Sequence, residues 1–287
     1  MPFSKTAEAE ASYRAAYDAS LQLWPPRCES LDIPTKFGLT HVIACGPVGG
    51  EPVLLLPAMS FSATMWYATA SALASEFRCY AVDFPSDMGL STSENPPANR
   101  SDCAAWLRTL LDALDVARAS FVGASYGSFL ALNYVIAEPG RISKMVLSSP
   151  AASIVALRKS FFLRMFLSFL LPGRSGVDRI MDWILEDRIP RDHPVIRQLV
   201  VGTKCLHPRM KAYPKVFPDS ELAGISAPMY FLFGEKEVCY NPHAAVERVR
   251  RVMPNASVKI VPNAGHLLVM ECPESVNPSI AAFLRSP

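Results

Sequence analysis

A glycine-flanked serine between an apolar strand and an apolar helix constrains this chain more than any other feature. From residue 119 the sequence reads as a short strand, then Gly123-Ala-Ser125-Tyr-Gly127, then a helix. Glycines suit so tight a turn because side chains there would collide across it. The turn strains the serine backbone and exposes its hydroxyl, and the helix N-terminus directs free N–H groups to the same point. The pattern predicts a nucleophilic Ser125, with an ordinary helix-capping serine as the alternative.

Short apolar strands alternate with helices on both sides of this turn. Strands that are apolar throughout are typical of a parallel sheet covered by helices on both faces. A helix over 6–23 and an antiparallel hairpin precede the alternation. The predicted strands are 30–33, 40–45, 53–56, 79–82, 121–122, 144–147, 229–233 and 257–261, and the helices between and after them are 63–77, 103–114, 128–136, 244–252 and 275–284. The fold class is therefore predicted as α/β with a mostly parallel sheet.

The alternation breaks between residues 151 and 219. This segment has helical stretches at 155–171 and 176–185 but no clear strand, and it falls between two predicted strands. We therefore predict that it is a helical cap inserted into one sheet. The core would consist of residues 1–150 and 220–287, and the cap of residues 151–219.

Charge and hydropathy limit the possible partners and location. The chain has 287 residues, 50% of them hydrophobic, which suits one large domain with an insertion. The formal net charge is +2 and no long run of one sign occurs, so we expect neither nucleic acid nor a membrane as a partner. The most apolar run, 161–171, is too short for a membrane span. Because the N-terminus has no apolar signal segment, we expect a cytoplasmic location.

The cysteines indicate neither a disulfide framework nor a metal site. The 7 cysteines are scattered, their number is odd, and no C-x-x-C pair occurs. We therefore expect most of them to be small buried side chains in a reducing compartment.

A serine nucleophile needs a base, and His266 is the strongest candidate among the 5 histidines. It follows the last predicted strand, so it should lie at the carboxyl edge of the sheet, where Ser125 also emerges. Binding and catalytic sites of open α/β sheets gather at this edge. For the other histidines we expect packed or solvated side chains: His41, His193, His207 and His243.

Two carboxylates follow the strand 229–233 and compete for the role of the acid that orients the base. Glu237 comes after the turn has opened, so its side chain can reach back towards the imidazole, whereas Glu235 reads as an exposed turn residue. We favour Glu237. The resulting chain order of Ser125, Glu237 and His266 is the order of α/β-hydrolase triads.

Several segments outside these residues also follow a known pattern. They are Leu21-Gln-Leu-Trp-Pro, Phe37-Gly-Leu-Thr-His-Val-Ile-Ala, Phe61-Ser-Ala-Thr-Met-Trp-Tyr, Tyr80-Ala-Val-Asp83, Gly234-Glu-Lys-Glu-Val, Asn241-Pro-His-Ala-Ala and Asn263-Ala-Gly-His266. In these segments the chain resembles an α/β-hydrolase from end to end, and in particular the bacterial carboxylesterases of the naproxen-esterase type. The resemblance implies the nucleophile at Ser125, the acid at Glu237 and the base at His266, with no metal and no organic cofactor.

The resemblance also places an oxyanion hole and exposes two departures from the family. The backbone N–H groups of Met59 and Tyr126 would bind the oxyanion. Family members usually carry His-Gly where this chain has Pro57-Ala58. Backbone donors survive a change of side chain, so the hole can persist, while Ala58 narrows the space for acyl groups. The loop that begins at Asp83 lacks the usual glycines, and we expect it to shape the pocket rather than the chemistry.

These observations predict a serine hydrolase acting on small hydrophobic carboxylic esters, as a monomer or homodimer. A lactonase or amidase would use the same residues, and a non-catalytic ligand receptor on this fold is the alternative of a different class. A dehalogenase or epoxide hydrolase needs an aspartate nucleophile, so Ser125 argues against both. An apolar cluster of the cap should partly pack on the core and partly line a pocket for an acyl or alcohol group: Phe161, Phe162, Met165 and Phe166.

Overall fold

A computed structural model describes residues 4–170, 175–186 and 188–287 of the chain. Its centre is an 8-stranded sheet with the order β1-β2-β4-β3-β5-β6-β7-β8. β1 and β2 run antiparallel to their neighbours, and every pair from β4–β3 to β7–β8 is parallel. The strands are β1 (Glu29–Thr35), β2 (Gly38–Cys45), β3 (Glu51–Leu56), β4 (Phe77–Val82), β5 (Ala119–Ala124), β6 (Ile142–Ser148), β7 (Met229–Gly234) and β8 (Ser257–Val261). The predicted fold class is confirmed.

Helices cover both faces of this sheet. Several of them begin at a side chain that accepts a backbone N–H of the first turn, as Thr6, Asn99, Ser175 and Asn241 do. The helices are α1 (Ala7–Leu21), α2 (Tyr67–Leu73), α3 (Arg100–Ala113), α4 (Tyr126–Ala137), α5 (Lys159–Leu170), α6 (Gly176–Leu185), α7 (Pro194–Cys205), α8 (Asp219–Ala223), α9 (Pro242–Val252), α10 (Leu268–Glu271) and α11 (Pro273–Arg285).

The sheet separates two hydrophobic layers. Along β3, Val53 and Leu55 point into one layer and Leu54 and Leu56 into the other, and all four side chains are fully buried. Successive side chains of a strand alternate between faces, so a strand covered on both sides must be apolar at every position. This is the physical reason for the uninterrupted apolar runs in the sequence.

Some predicted boundaries were wrong. The predicted helix 63–77 is a short 3-10 helix at Ala63–Trp66 followed by α2, which ends at Leu73. Phe77 begins β4 instead, because it pairs with Glu51 in the parallel register with β3. The predicted helix 155–171 begins only at Lys159, and its last residue lies outside the described residues. The helices α7, α8 and α10 were not predicted.

The four helices α5 to α8 lie between β6 and β7 in the chain, where the insertion was predicted. Gln198 on α7 ties this segment to the core: its Nε2 donates to the Tyr13 hydroxyl at 3.0 Å and to Ser62 Oγ at 2.8 Å. The division at residues 151 and 219 stays a prediction. In the described part of the chain, no helix is long and apolar enough to cross a membrane.

A disulfide joins Cys28 to Cys45, which the sequence argument did not anticipate. The β1–β2 register pairs Glu29 with Ala44, so the next two residues outward, Cys28 and Cys45, face each other. Their Cα atoms are 4.5 Å apart. The expectation of buried thiols holds for Cys79, Cys103 and Cys239, while Cys205 and Cys272 are half-buried.

Candidate active site

Ser125 lies on a strained turn between β5 and α4. Its φ is +49°, a left-handed value that a non-glycine residue rarely adopts. A Cβ atom on Gly123 would lie 2.5 Å from the Gly127 carbonyl carbon, and one on Gly127 would lie 2.0 Å from the Leu56 carbonyl oxygen. Both distances are far below van der Waals contact. The predicted collision across the turn is confirmed for Gly123, whereas at Gly127 the collision would be with the neighbouring strand β3.

Ser125, His266 and Glu237 form one chain of hydrogen bonds, although 141 residues separate the first two. His266 Nε2 lies 2.9 Å from Ser125 Oγ, and His266 Nδ1 lies 2.7 Å from Glu237 Oε2. Because a carboxylate only accepts, Nδ1 carries a proton, and in the neutral imidazole Nε2 is then free to accept one from the serine. The other Glu237 oxygen, Oε1, accepts the Cys239 N–H at 2.8 Å. The geometry suits proton transfer from the serine hydroxyl.

The other candidates for acid and base lie elsewhere. Glu235 is exposed, and its carboxylate accepts the Asn263 N–H at 2.9 Å. His41 lies in β2, where its Nδ1 is 2.7 Å from Asp32 Oδ1. His193 caps α7, with its Nε2 3.1 Å from the Tyr67 hydroxyl. None of the three contacts the Ser125 chain of hydrogen bonds.

The loop after β3 carries Met59, and buried carboxylates hold it in place. The Ser60 N–H donates to Asp87 Oδ2 at 2.7 Å while Ser60 adopts a φ of +66°. The Ala63 N–H donates to Asp83 Oδ1 at 2.6 Å. The loop that begins at Asp83 therefore fixes the backbone beside Met59, which is more than the pocket-shaping role predicted for it.

Tyr126 is the first residue of α4, so its N–H has no acceptor within its own helix. Its side chain is buried, and the hydroxyl donates to the Ala212 carbonyl at 2.7 Å. This bond joins the segment around Ala212, from the predicted cap, to the residue that follows Ser125. The role of the Tyr126 N–H in an oxyanion hole stays a prediction.

Comparisons with known proteins show the family to which the chain belongs. Residues 53–278 match the Alpha/beta hydrolase family. The chain is 35% identical to carboxylesterase YbfK of Bacillus subtilis over 96% of this chain and 95% of that protein. It is 34% identical to the uncharacterized carboxylesterase nap of the same species, over 96% of this chain and 92% of that protein. The chain belongs to the α/β-hydrolase family.

Solved structures place the chain within one group of that family. The crystal structure of naproxen esterase from Bacillus subtilis superposes with a TM-score of 0.91 at 32% identity, over 98% of this chain and 100% of that chain. Carboxylesterase CesB (YbfK) from the same species gives 0.90 at 34% identity, over 97% and 99%. This α/β-hydrolase is therefore an enzyme of the carboxylesterase type. The predicted resemblance to carboxylesterases of the naproxen-esterase type is confirmed.

The electrostatics of this hydrolase site favour a strong base. Burial alone would lower the pKa of His266, but the neighbouring Cys239 and Glu237 outweigh burial and hold that pKa well above its usual value. Burial also opposes the charged form of Glu237, yet its contacts with His266 and the Cys239 N–H leave the pKa of this carboxyl lowered. Glu237 therefore stays ionised beside the imidazole.

One group of possible metal ligands exists among the described residues: Glu237, Cys239 and His266, whose ligand atoms lie within 4.8 Å of one another. Glu237 and His266 are already joined by their 2.7 Å hydrogen bond. A metal ion bound between them would break that bond, so the arrangement fits a proton-transfer pair better than a metal centre.

The apolar cluster of the cap is arranged differently from the prediction. Phe162 and Phe166 are 59% and 62% exposed, so they neither pack on the core nor line a buried pocket. Phe161 and Met165 are half-buried, and the Phe161 ring lies 5.9 Å from the Trp183 ring of α6. Phe161 packs against one of the two hydrophobic layers, as was predicted for part of this cluster.

Two charged residues near His266 were not predicted. Glu271, on α10, binds the backbone on both sides of the histidine, and Arg188 of the predicted cap approaches Glu271. Glu271 follows His266 closely in the sequence, whereas Arg188 reaches the site only through the fold.

Proposed function

We propose that this α/β-hydrolase cleaves carboxylic esters of small hydrophobic molecules through a Ser125–His266–Glu237 triad and an acyl-enzyme. The observation that supports it most directly is the continuous hydrogen-bond chain from the strained Ser125 hydroxyl through His266 to a buried carboxylate. The two similar Bacillus proteins named carboxylesterases and the similarity to naproxen esterase support an ester as the substrate.

In the proposed reaction, Ser125 Oγ attacks the ester carbonyl carbon while His266 Nε2 accepts the hydroxyl proton. The carbonyl π electrons move to the oxygen, and the Met59 and Tyr126 N–H groups bind this oxyanion. Glu237 keeps the Nδ1 proton in place and stabilises the imidazolium. The imidazolium then gives its proton to the departing alkoxide oxygen, so the alcohol leaves and the acyl group stays on Ser125.

Water completes the cycle by the same steps in reverse. His266 takes a proton from the water while the water oxygen attacks the acyl carbon. The proton then passes to Ser125 Oγ as the carboxylic acid is released.

We also propose that residues 151–219 form the cap over this site and that residues 1–150 and 220–287 form the core. The Tyr126 bond to the Ala212 carbonyl supports this arrangement, because it joins the proposed cap to the residue that follows the nucleophile.

A substrate panel tests the proposed function. Purified protein is assayed with p-nitrophenyl esters of increasing acyl length, with lactones, and with the matching p-nitroanilides. We expect turnover of esters with kcat/KM at least tenfold above that of lactones and anilides. A preference for lactones or anilides would indicate a lactonase or amidase, and binding without turnover of any of them would indicate a receptor.

A further inference from the structure

Glu271 holds the loop that carries His266 from both sides. Its Oε2 accepts the Gly265 N–H at 2.6 Å, and its Oε1 accepts the Leu267 N–H at 2.8 Å. These are the residues immediately before and after His266. The Glu271 side chain is only 1% exposed, so both bonds are sheltered from water. One buried carboxylate thus fixes the backbone on either side of the proposed base.

Arg188 supplies the positive charge that faces this carboxylate. It follows α6 in the predicted cap, and its Nη1 lies 3.7 Å from Glu271 Oε2 while its Nη2 donates to Glu186 Oε2 at 2.5 Å. The Arg188 side chain is 15% exposed. A buried carboxylate needs such a partner, because burial without a counter-charge favours its protonated form.

Arg188 also lies close to the glycine before the histidine. A Cβ atom on Gly265 would lie 2.3 Å from Arg188 Nη1 and 3.1 Å from Glu271 Oε1. Any side chain there would push the guanidinium away or displace the loop. The loop, the carboxylate and the arginine are therefore packed as one unit.

We infer that Glu271 is a positioning residue for His266, and that Arg188 makes this position depend on the cap. The inference rests on the proposed function of His266 as the base. A loop displacement of about 1 Å would lengthen the bond from His266 to Ser125, and misplacement of that size costs about 10²-fold in rate. Glu271 itself touches no reacting atom and acts only through the histidine.

The charges around His266 give the inference a specific readout. The imidazole faces Ser125 and Glu237, with Cys239 and the Tyr240 ring beside it. Glu271 adds a second negative charge near the imidazole. This charge interacts electrostatically with His266 and also with Arg188. Loss of the Glu271 charge should therefore lower the pKa of His266 and move the acid limb of the pH profile to lower pH. A residue with a merely structural role would leave that limb in place.

Glu271→Gln tests the inference at nearly constant volume. The amide oxygen can accept one of the two N–H groups, and the amide nitrogen then faces the other donor. We expect kcat/KM for a short p-nitrophenyl ester to fall about 10- to 100-fold, together with the shift of the acid limb. Glu274→Gln is the matched control, because this exposed glutamate lies three residues further on, in the first turn of α11. It should match wild type.

Arg188→Gln tests the link to the cap. Burial raises the pKa of Glu271 and Arg188 opposes that rise, so without Arg188 the carboxyl should gain a proton at higher pH. We expect kcat/KM to fall several-fold, and more at pH 6 than at pH 8. Arg191→Gln is the control, since this exposed arginine of the same segment pairs with Asp182. Circular dichroism checks each variant, and Arg188→Gln decides the inference if Glu271→Gln does not fold.

Active-site labelling separates this inference from the proposed function. If a fluorophosphonate labels Ser125 in wild type but Glu271→Gln or the folded Arg188→Gln keeps the wild-type rate and pH profile, the positioning role is wrong. If wild-type Ser125 is not labelled and Ser125→Ala stays active, the proposed function is wrong, whatever Glu271 does.

Discussion

Replacing Glu237 by glutamine removes the charge beside His266 and leaves the amide no good orientation. The carboxylate now accepts from two donors, His266 Nδ1 at 2.7 Å and the Cys239 N–H at 2.8 Å. If the amide oxygen keeps the Cys239 bond, its NH₂ group faces Nδ1. The ring must then carry its proton on Nε2, where it can no longer accept one from Ser125. If the amide is rotated so that its oxygen accepts from Nδ1, the NH₂ group faces the Cys239 N–H, and two donors then meet without an acceptor.

The expected loss follows from the burial of this pair. Glu237 and His266 are 3% and 7% exposed, so little water would screen the imidazolium of the transition state once its carboxylate partner is a neutral amide. A serine triad whose histidine is held in the wrong tautomer loses about 10⁴ in kcat, and we expect a loss of about 10²–10⁴ in kcat/KM here. The assay is initial-rate hydrolysis of p-nitrophenyl acetate at pH 8, after circular dichroism has shown the variant to be folded.

Glu235→Gln is the control for this experiment. Glu235 is exposed, and its carboxylate accepts the Asn263 N–H rather than a bond from the histidine. Its replacement should change kcat/KM less than threefold, because a single exposed hydrogen bond contributes roughly this much. A folded Glu237→Gln protein with wild-type activity, or a greater loss from Glu235→Gln, would refute the assignment of the acid.

Two further predictions concern the base and the oxyanion hole. His266 must be neutral to accept a proton and its pKa is raised, so kcat/KM should fall as the pH drops, with a midpoint above the ordinary imidazole value of about 6.5. A profile that stays flat from pH 9 to pH 5 in folded protein would contradict this. Met59→Pro removes the proposed N–H donor and should cost about 10²–10³ in kcat, whereas Met59→Ala should mainly change acyl-size preference. Near wild-type kcat in folded Met59→Pro would place the oxyanion hole elsewhere.

The core of the fold could be predicted because its signals are local. Uninterrupted apolar strands and the Gly123–Gly127 turn depend only on neighbouring residues and on burial from both sides. The carboxyl edge of a parallel sheet then brings Ser125, His266 and Glu237 near each other without any knowledge of side-chain geometry. Glu237 was favoured over Glu235 from its place after the turn alone, and the hydrogen bond to His266 agrees with that choice.

The disulfide could also have been predicted, had the register of the hairpin been used. A turn at residues 36–37 pairs positions symmetrically outward, and this series ends with Cys28 opposite Cys45. A C-x-x-C pattern identifies only cysteines that are close in the sequence, whereas Cys28 and Cys45 are 17 residues apart. α7 likewise had a local signal. Pro194 is its first residue, directly after the capping residue His193, and the first position of a helix favours proline.

Other features had no local signal. Helical periodicity shows that α5 has apolar side chains but not which of them face the core. It could therefore not show that Phe162 and Phe166, expected to pack on the core or line a pocket, are exposed. The contact between Arg188 and Glu271 depends on tertiary packing, because distant segments of the chain bring the two residues together. Glu271 lies only a few residues after His266 and binds the N–H groups of Gly265 and Leu267, but a glutamate at that spacing does not by itself indicate this role.

Covalent labelling of the nucleophile tests the central claim most directly. Purified protein is treated with a fluorophosphonate, and the adduct is located by peptide mapping and mass spectrometry, with Ser125→Ala treated in parallel. We predict one adduct per chain, on Ser125, with ester hydrolysis lost in proportion to labelling and absent from folded Ser125→Ala. An adduct on any other residue, or ester turnover that survives in Ser125→Ala, would contradict the proposed mechanism.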